Sequence, residues 1–325
     1  MPRRAPAIGR GMEKPTHQVL ISDLEPGLPY SKGLMAWRMM VTGLSAFRAY
    51  QIAEGIEERL LEMRVASITT EEVNAIAVEV IREIAGDRYA ANFLSWREVE
   101  ELDLPLVIFI GGTTGVGKST LATQLAARLG IVRVVATDAI REVMRTLFSR
   151  ELMPTLYTSS FDAGSALREP PLRNEDRVVV GFREQTAAVS VGLRGLLDRA
   201  AMEGTSVIIE GAHAVPGFFE MEPWTDRVLA VPMVITVDDE EVHHGHFTAR
   251  GLDSPGRPSD RYEEGFENIR KVQKYIKSQA LSHNVPLIPN YNLDQTIAAI
   301  IDLIVVRASE RAKQSRTSEG KVREA

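Results

Sequence analysis

The stretch LVIFIGGTTGVGKSTLATQLAARL, residues 106–129, decides the fold. Leu106–Ile110 is an unbroken apolar run, short for a helix and suited to a strand buried on both faces. Gly112-Thr113-Thr114-Gly115-Val116-Gly117-Lys118-Ser119 follows at once and fits the pattern G-x-x-x-x-G-K-[ST]. Glycines let such a loop wrap tightly, with backbone N–H groups turned toward a phosphate. Lys118 supplies a mobile positive charge for the β- and γ-phosphates, and Ser119 a hydroxyl for Mg²⁺. A helix over Thr120–Leu129 points its positive end at the same place. Gly112–Thr120 is therefore the expected nucleotide site, with ATP and Mg²⁺ the expected cofactors.

Working outward, Leu104–Val306 alternates apolar runs with amphipathic stretches. Val132–Ala136, Ser206–Glu210, Leu229–Val237 and Pro286–Pro289 are the further strand candidates. This alternation predicts an α/β fold, a P-loop domain whose parallel sheet is flanked by helices. Upstream, Thr16–Asp103 predicts a small, mostly helical domain with one hairpin. His17–Ser22 is strand-like, Pro26, Gly27 and Pro29 mark a turn, and apolar residues at helical spacing run from Leu34 through Leu61. Thr69/Thr70 before Glu71 and Glu72 reads as a helix start, Gly86 as its stop, and Arg88–Glu101 as another helix. Residues 1–15 and 307–325 lack apolar periodicity and are expected to be flexible.

Composition narrows the function. The chain has 325 residues, 38 Lys plus Arg against 44 Asp plus Glu, and a net charge of −6. That balance argues against nucleic-acid binding. The chain has no cysteine, which excludes disulfides, Cys-ligated zinc and thiol catalysis. The longest apolar runs fall short of the roughly 20 residues that span a bilayer. Arg3, Arg4 and Arg10 precede no apolar segment, so no secretory signal is expected. A cytoplasmic protein acting on a small molecule fits, away from membranes; the sequence leaves a homo-oligomer open.

Where the phosphoryl group goes depends on side chains beyond the loop. In a parallel sheet the carboxyl ends of the strands face the ligand. Asp138, after Val132–Ala136, is placed to orient or deprotonate an acceptor hydroxyl or to help hold Mg²⁺; the plainer reading is a helix cap. Arg141 and Arg145 follow at i+3 and i+7, suited to an anionic acceptor or to surface pairing with Glu142 or Glu151. Glu210 ends another apolar strand, the position of a carboxylate that holds the metal and its water. His213, just beyond, either meets substrate or closes the turn. Phe247–Tyr262 carries Arg250, Arg257 and Arg261 in a Gly/Pro/Ser-rich stretch and is expected to be a mobile lid over the phosphates. His243, His244 and His246 precede it without a standard zinc spacing. Met153–Arg177, with Ser159, Ser160 and Arg168, is long and lies where an acceptor-binding segment is expected by analogy.

Several segments together carry a family resemblance. They are GGTTGVGKSTLATQLAARLGI (111–131), TDAIREVMR (137–145), SSFDAG (159–164), EGTSVIIEGAHAVPG (203–217) and RYEEGFENIRKVQKYI (261–276). They resemble the 2-phosphoglycerate kinases of archaea and some bacteria. LPYSKGLMAWRMMVTGLSAFRAYQIAEGIEERL (28–60) is similar to the ATP-cone domain that precedes the kinase in that family. The resemblance spans about Thr16–Val306. It implies ATP-dependent phosphorylation of 2-phosphoglycerate to 2,3-bisphosphoglycerate. It also gives Arg141, Arg145 and Arg168 an acceptor phosphate and carboxylate to hold. One departure is local: ATP-cones that sense nucleotides carry a Lys-Arg-Asp-Gly-like turn, where this chain reads Ile21-Ser22-Asp23-Leu24. Two alternatives stand beside this reading. One is a kinase of another phosphorylated small molecule, such as a phosphomevalonate. The other is a nucleotide-binding regulator without turnover.

Overall fold

The computed structural model describes residues 19–23, 27–219, 222–253 and 259–323, which form two compact units. In the first, β1 (Leu20–Ile21) pairs antiparallel with β2 (Leu28–Pro29) and parallel with β3 (Ser67–Ile68). Three helices accompany this small sheet: α1 (Lys32–Met40), α2 (Ala46–Glu62) and α3 (Thr70–Ala85). The continuous helical pattern from Leu34 to Leu61 is broken into two helices. Gly43 turns the chain with φ +90° and Ser45 caps α2 by accepting from the Arg48 N–H, so local turn chemistry overrides apolar periodicity. Ile52, Ile56 and Leu60 of α2 and Val73, Ala77 and Ile81 of α3 form the buried core. Gly55 lets the two helices approach, since a Cβ there would lie 3.1 Å from Val80. Thr69 and Glu72 form a reciprocal capping box at the start of α3, and Gly86 ends it with φ +101°. The Asp23 carboxylate accepts from the Thr70 N–H and hydroxyl at 2.8–3.0 Å, which holds its pKa below the usual carboxylate range. The chain's own carboxylate thus occupies that helix terminus.

α4 (Asp87–Glu101) contains the division between the units, which falls after Ala91 and not near Asp103 as the sequence suggests. The reason is packing: Trp96, Val99 and Leu102 join a core that includes Ile300, Ile304 and Ala308 of the second unit. That unit is built on a five-stranded sheet. Its strands are β4 (Leu106–Gly111), β5 (Val134–Ala136), β6 (Val207–Glu210), β7 (Leu229–Thr236) and β8 (Leu287–Pro289), in the order β5-β6-β4-β7-β8. Every pairing is parallel. The central strand β4 is wholly buried. Ile108 and Ile110 pack on one face of the sheet, with Leu121, Leu125 and Ile301; Val107 and Phe109 pack on the other, with Leu193 and Leu197. Each such buried side chain contributes roughly 1.5–3 kcal/mol relative to exposure.

The covering helices are α5 (Lys118–Leu129), α6 (Thr137–Leu147), α7 (Arg177–Glu203), α8 (Glu240–Asp253), α9 (Ser259–Glu264), α10 (Phe266–Ser282) and α11 (Leu293–Arg323). α11 runs well past Arg307, where the sequence suggests a flexible tail. Ala308 is fully buried, Ser309 bonds Glu98, and Arg311 pairs with Asp226 at 3.2 Å, so the helix has partners beyond the loss of apolar pattern. Phe247–Tyr262 is likewise less of a loop than its composition suggests. Its first part is α8, with Phe247 buried and stacked on Tyr262 at 5.2 Å between ring centroids. No helix among the described residues is long and apolar enough to cross a membrane.

Candidate active site

Register aligns three strand ends. Ile110 of β4 and Ala136 of β5 both lie opposite Glu210 of β6. The loop after β4, the start of α6 and the Glu210 carboxylate therefore meet at one edge of the sheet. They line a cavity of about 290 Å³ with Thr114, Lys118, Ser119, Asp138, Arg141 and Glu210 on its wall. Ser159, Ser160 and Phe161, and Arg261 and Tyr262 from α9, complete it.

The loop itself has little freedom to accept other residues. Gly112, Gly115 and Gly117 adopt φ of +134°, +88° and +86°. A Cβ on Gly112 would stand 2.5 Å from the Ile235 carbonyl, and one on Gly115 2.3 Å from Phe247. Thr113 is buried and donates to the Ile269 carbonyl at 3.2 Å, and Val116 is buried in the core. Lys118 is also buried, and its Nζ donates to the Thr113 carbonyl at 2.6 Å. Ser119 Oγ donates to Glu210 Oε1 at 2.9 Å. A hydroxyl and a carboxylate so paired, beside a lysine, are the donor set that suits Mg²⁺ on a nucleotide. Thr120 is exposed on the first turn of α5.

The residues expected to meet an acceptor are only partly brought together. Asp138 is not the helix cap: α6 begins at Thr137, Ala136 holds the cap position, and no side-chain cap bond forms. The Asp138 carboxylate is largely exposed into the cavity, 3.7 Å from Arg141. Arg141 is mostly buried and donates from Nη1 to the Thr158 carbonyl. Its Nε is buried without a hydrogen-bond partner among the described residues. Arg261 lines the cavity, with Nη2 3.4 Å from Asp162 and its guanidinium over the Phe161 ring.

Three expected acceptor residues lie elsewhere. Arg145 donates to Glu142 at 2.6–2.8 Å and stacks 4.8 Å over Tyr157, because its place three residues after Glu142 offers a nearer partner. Arg168 turns away and donates to the Glu151 carbonyl. His213 is fully buried behind the cavity wall. Its ring lies 3.0 Å from the Thr137 hydroxyl and 2.8 Å from Gln185 Oε1. Gln185 gives its amide N–H groups to the Thr155 and Thr158 carbonyls, so its oxygen accepts from the His213 Nε2–H. Burial lowers the His213 pKa to about 4. The side chain of Arg250, on α8, and the whole of Arg257 lie outside the described residues.

Sequence reasoning passed over three contacts. His243 and His246 of α8 bond the Thr114 and Gly115 carbonyls, and Asn290 after β8 bonds that of Val116. The only signal was the recurrence of the two histidines on one helical face. Among the described residues no cluster of His, Asp and Glu is arranged to hold a metal by itself.

The chain is similar in sequence to known proteins. A family model described as an AAA domain matches residues 108–244. A 2-phosphoglycerate kinase of Methanothermobacter thermautotrophicus is 41% identical over 274 residues, covering 84% of this chain and 89% of that protein. One from Methanopyrus kandleri is 38% identical over 282 residues, covering 85% and 84%. One from Thermococcus kodakarensis is 36% identical over 285 residues, covering 87% and 96%. Among solved structures, a gluconokinase from Sinorhizobium meliloti 1021 aligns with a TM-score of 0.36 at 14% identity, over 66% of this chain and 98% of that one. With more than a third of positions shared along most of both lengths, and a P-loop set at the edge of a parallel sheet, the chain is a P-loop kinase and belongs to the 2-phosphoglycerate kinase family.

Proposed function

We propose that the chain transfers the γ-phosphoryl group of ATP to the free hydroxyl of 2-phosphoglycerate, giving 2,3-bisphosphoglycerate and ADP. The observation that carries this reading is one cavity that joins Lys118 and Ser119 to Asp138 and to the guanidinium fork of Arg141. An acceptor with a phosphate and a carboxylate beside its hydroxyl matches that fork and the nearby Arg261. The names and lengths of the relatives support the same acceptor.

The roles follow from position. The loop amides and Lys118 hold the nucleotide phosphates. Ser119 and Glu210 hold Mg²⁺, which when bound neutralises charge on the β- and γ-phosphates. Arg141 and Arg261 hold the acceptor's anionic groups. Asp138 orients the hydroxyl and takes its proton as the oxygen bonds to phosphorus and the bond to the ADP oxygen breaks. Phosphoryl transfer needs little beyond such positioning and charge. The first unit serves as a structural module in this reading. Its turn lacks the basic pair, and Asp23 already fills the N-terminus of α3.

The test is ADP release from MgATP with 2-phosphoglycerate, with 3-phosphoglycerate, and with neither. Strong stimulation by the 2-isomer alone is expected. Stimulation by neither, with ATP still bound, overturns the acceptor and moves the search to other phosphorylated metabolites, phosphomevalonates first.

A further inference from the structure

Three consecutive carbonyls of the phosphate loop are each held by a side chain from a distant part of the second unit. The Thr114 carbonyl lies 2.9 Å from His243 Nε2, that of Gly115 lies 2.8 Å from His246 Nδ1, and that of Val116 lies 2.9 Å from Asn290 Nδ2. A carbonyl only accepts, so both histidines donate here. Two of these donors, His243 and Asn290, are fixed from behind. His243 is fully buried, and its other nitrogen is 3.3 Å from Arg270, whose guanidinium also bonds the Val237 and Asp238 carbonyls. The Val116 carbonyl only accepts, so the amide nitrogen of Asn290 faces the loop and its oxygen lies 3.0 Å from the Thr296 hydroxyl. His243, His246 and Asn290 do not line the cavity.

A trans peptide is planar, so the carbonyl of one residue and the N–H of the next point opposite ways. Holding the carbonyls of Thr114, Gly115 and Val116 on the far side turns the N–H groups of Gly115, Val116 and Gly117 together toward the cavity. A glycine-rich loop does not hold such an arrangement unaided, because glycine gives up more conformational freedom than any other residue when ordered. Gly115 and Gly117, at φ of +88° and +86°, flank Val116, which carries the second of these amides.

We propose that His243, His246 and Asn290 are positioning residues that set the peptide planes of the phosphate loop, so that three successive amides already converge on a nucleotide phosphate before it binds. Ordering cost is met on folding, and affinity for the nucleotide rises accordingly. The inference rests on reading Gly112–Thr120 as the nucleotide site. It goes beyond that reading by assigning the loop's conformation to side chains outside the motif.

The experiment is MgADP binding by calorimetry, with melting temperature and the KM values for both substrates, on the unmodified protein and on His243→Ala, His246→Ala and Asn290→Ala. Each variant is expected to weaken MgADP about tenfold, the worth of one hydrogen bond. The KM for ATP is expected to rise with it, while the KM for the acceptor holds. His243→Gln and His246→Asn place an amide donor where the ring nitrogen stood, and are expected to recover most of the loss. Unchanged MgADP affinity in the alanine variants overturns the inference, even if they melt earlier, because a merely structural role lowers the folded fraction without moving the dissociation constant. Should the buried His243→Ala fail to fold, the half-buried His246→Ala decides. An unmodified protein that binds no MgADP overturns the nucleotide reading as well, which separates the two failures.

Discussion

The two ends of the cavity, which we assign to nucleotide and acceptor, are built differently. At the end we assign to the nucleotide, Thr114, Lys118 and Ser119 of one contiguous loop, Gly112–Thr120, line the wall beside Glu210, and the shape of that loop is set by its backbone. At the acceptor end, the wall is made of side chains: Asp138 and Arg141 from α6, Ser159–Phe161 from an irregular segment, and Arg261 and Tyr262 from α9. A site made of backbone needs a local conformation, and glycine positions encode that within a few residues. A site made of side chains needs several elements to be brought together, and no short pattern encodes that. The contrast predicts that the nucleotide end tolerates little change within its motif, while the acceptor end loses function in proportion to the geometry of each side chain.

The largest effect tests both ends at once. Lys118→Ala removes the only motif side chain that brings charge to the γ-phosphate, and turnover is expected to fall by about a thousandfold or more. Asp138→Asn keeps the shape but removes the proton acceptor, and is expected to lower kcat by about a hundredfold or more while the KM for ATP stays within a few-fold. Steady-state kinetics separates them. Full activity in Lys118→Ala removes the nucleotide end from the chemistry, and unchanged kcat in Asp138→Asn reduces Asp138 to a helix-terminus charge.

A second expectation concerns what stands behind each end. His243 backs the nucleotide loop and His213 backs the wall that carries Asp138; both are fully buried, and burial holds the pKa of each at about 4. His213 feels Asp138, Arg141 and Lys118, with the Phe182 ring beside it. His243 feels Arg270, His246 and Lys118, between the Phe247 and Phe266 rings. Both values lie below the ordinary 6.5, so the unfolded chain binds more protons between about pH 4 and 6.5. Stability is full above that window and falls as pH drops through it, by up to about 3 kcal/mol for each histidine. Urea unfolding at stepped pH measures the loss. His243→Gln and His213→Gln are each expected to flatten part of the slope; an unchanged slope in both means these rings are not neutral in the folded protein.

How much of this was legible in the sequence follows the same division. The sheet, its covering helices and the loop could be read because apolar runs and glycine spacing are local signals. Asp138 and Glu210 could be placed because strand ends face the ligand in any parallel sheet. The arginines could not be sorted that way. Arg141 and Arg145 lie on one helix face, yet Glu142 and Tyr157 hold Arg145, and only the packing of the segment around Tyr157 shows this. His213 sits where a substrate contact is plausible, but Thr137 and Gln185 enclose it. The anchors on the loop carbonyls come from α8 and from Asn290, far from the motif in sequence. The helix in Phe247–Asp253 was masked by the Gly and Pro that follow it, while burial of Phe247 against Gly115 is a tertiary event.

The smallest expected effects give the sharpest test of where the acceptor end stops. Arg141→Gln removes the guanidinium fork from the cavity wall, and the KM for the acceptor is expected to rise about 10- to 100-fold with the KM for ATP little changed. Arg141→Lys is expected to recover little of this, because a point charge does not replace two aligned donors. Arg145→Ala loses a surface pair with Glu142 and the stack on Tyr157, and Arg168→Ala a bond to the Glu151 carbonyl, so both KM values should stay within about threefold of the unmodified protein. Arg141→Gln, Arg145→Ala and Arg168→Ala each remove one positive charge from the same region while Arg141→Lys keeps it, so a loss common to those three and spared in Arg141→Lys would mean that general positive potential draws the acceptor in. A loss confined to Arg141 would mean that recognition depends on aimed donors, and the acceptor end would then be no wider than the cavity wall that Asp138, Arg141 and Arg261 define.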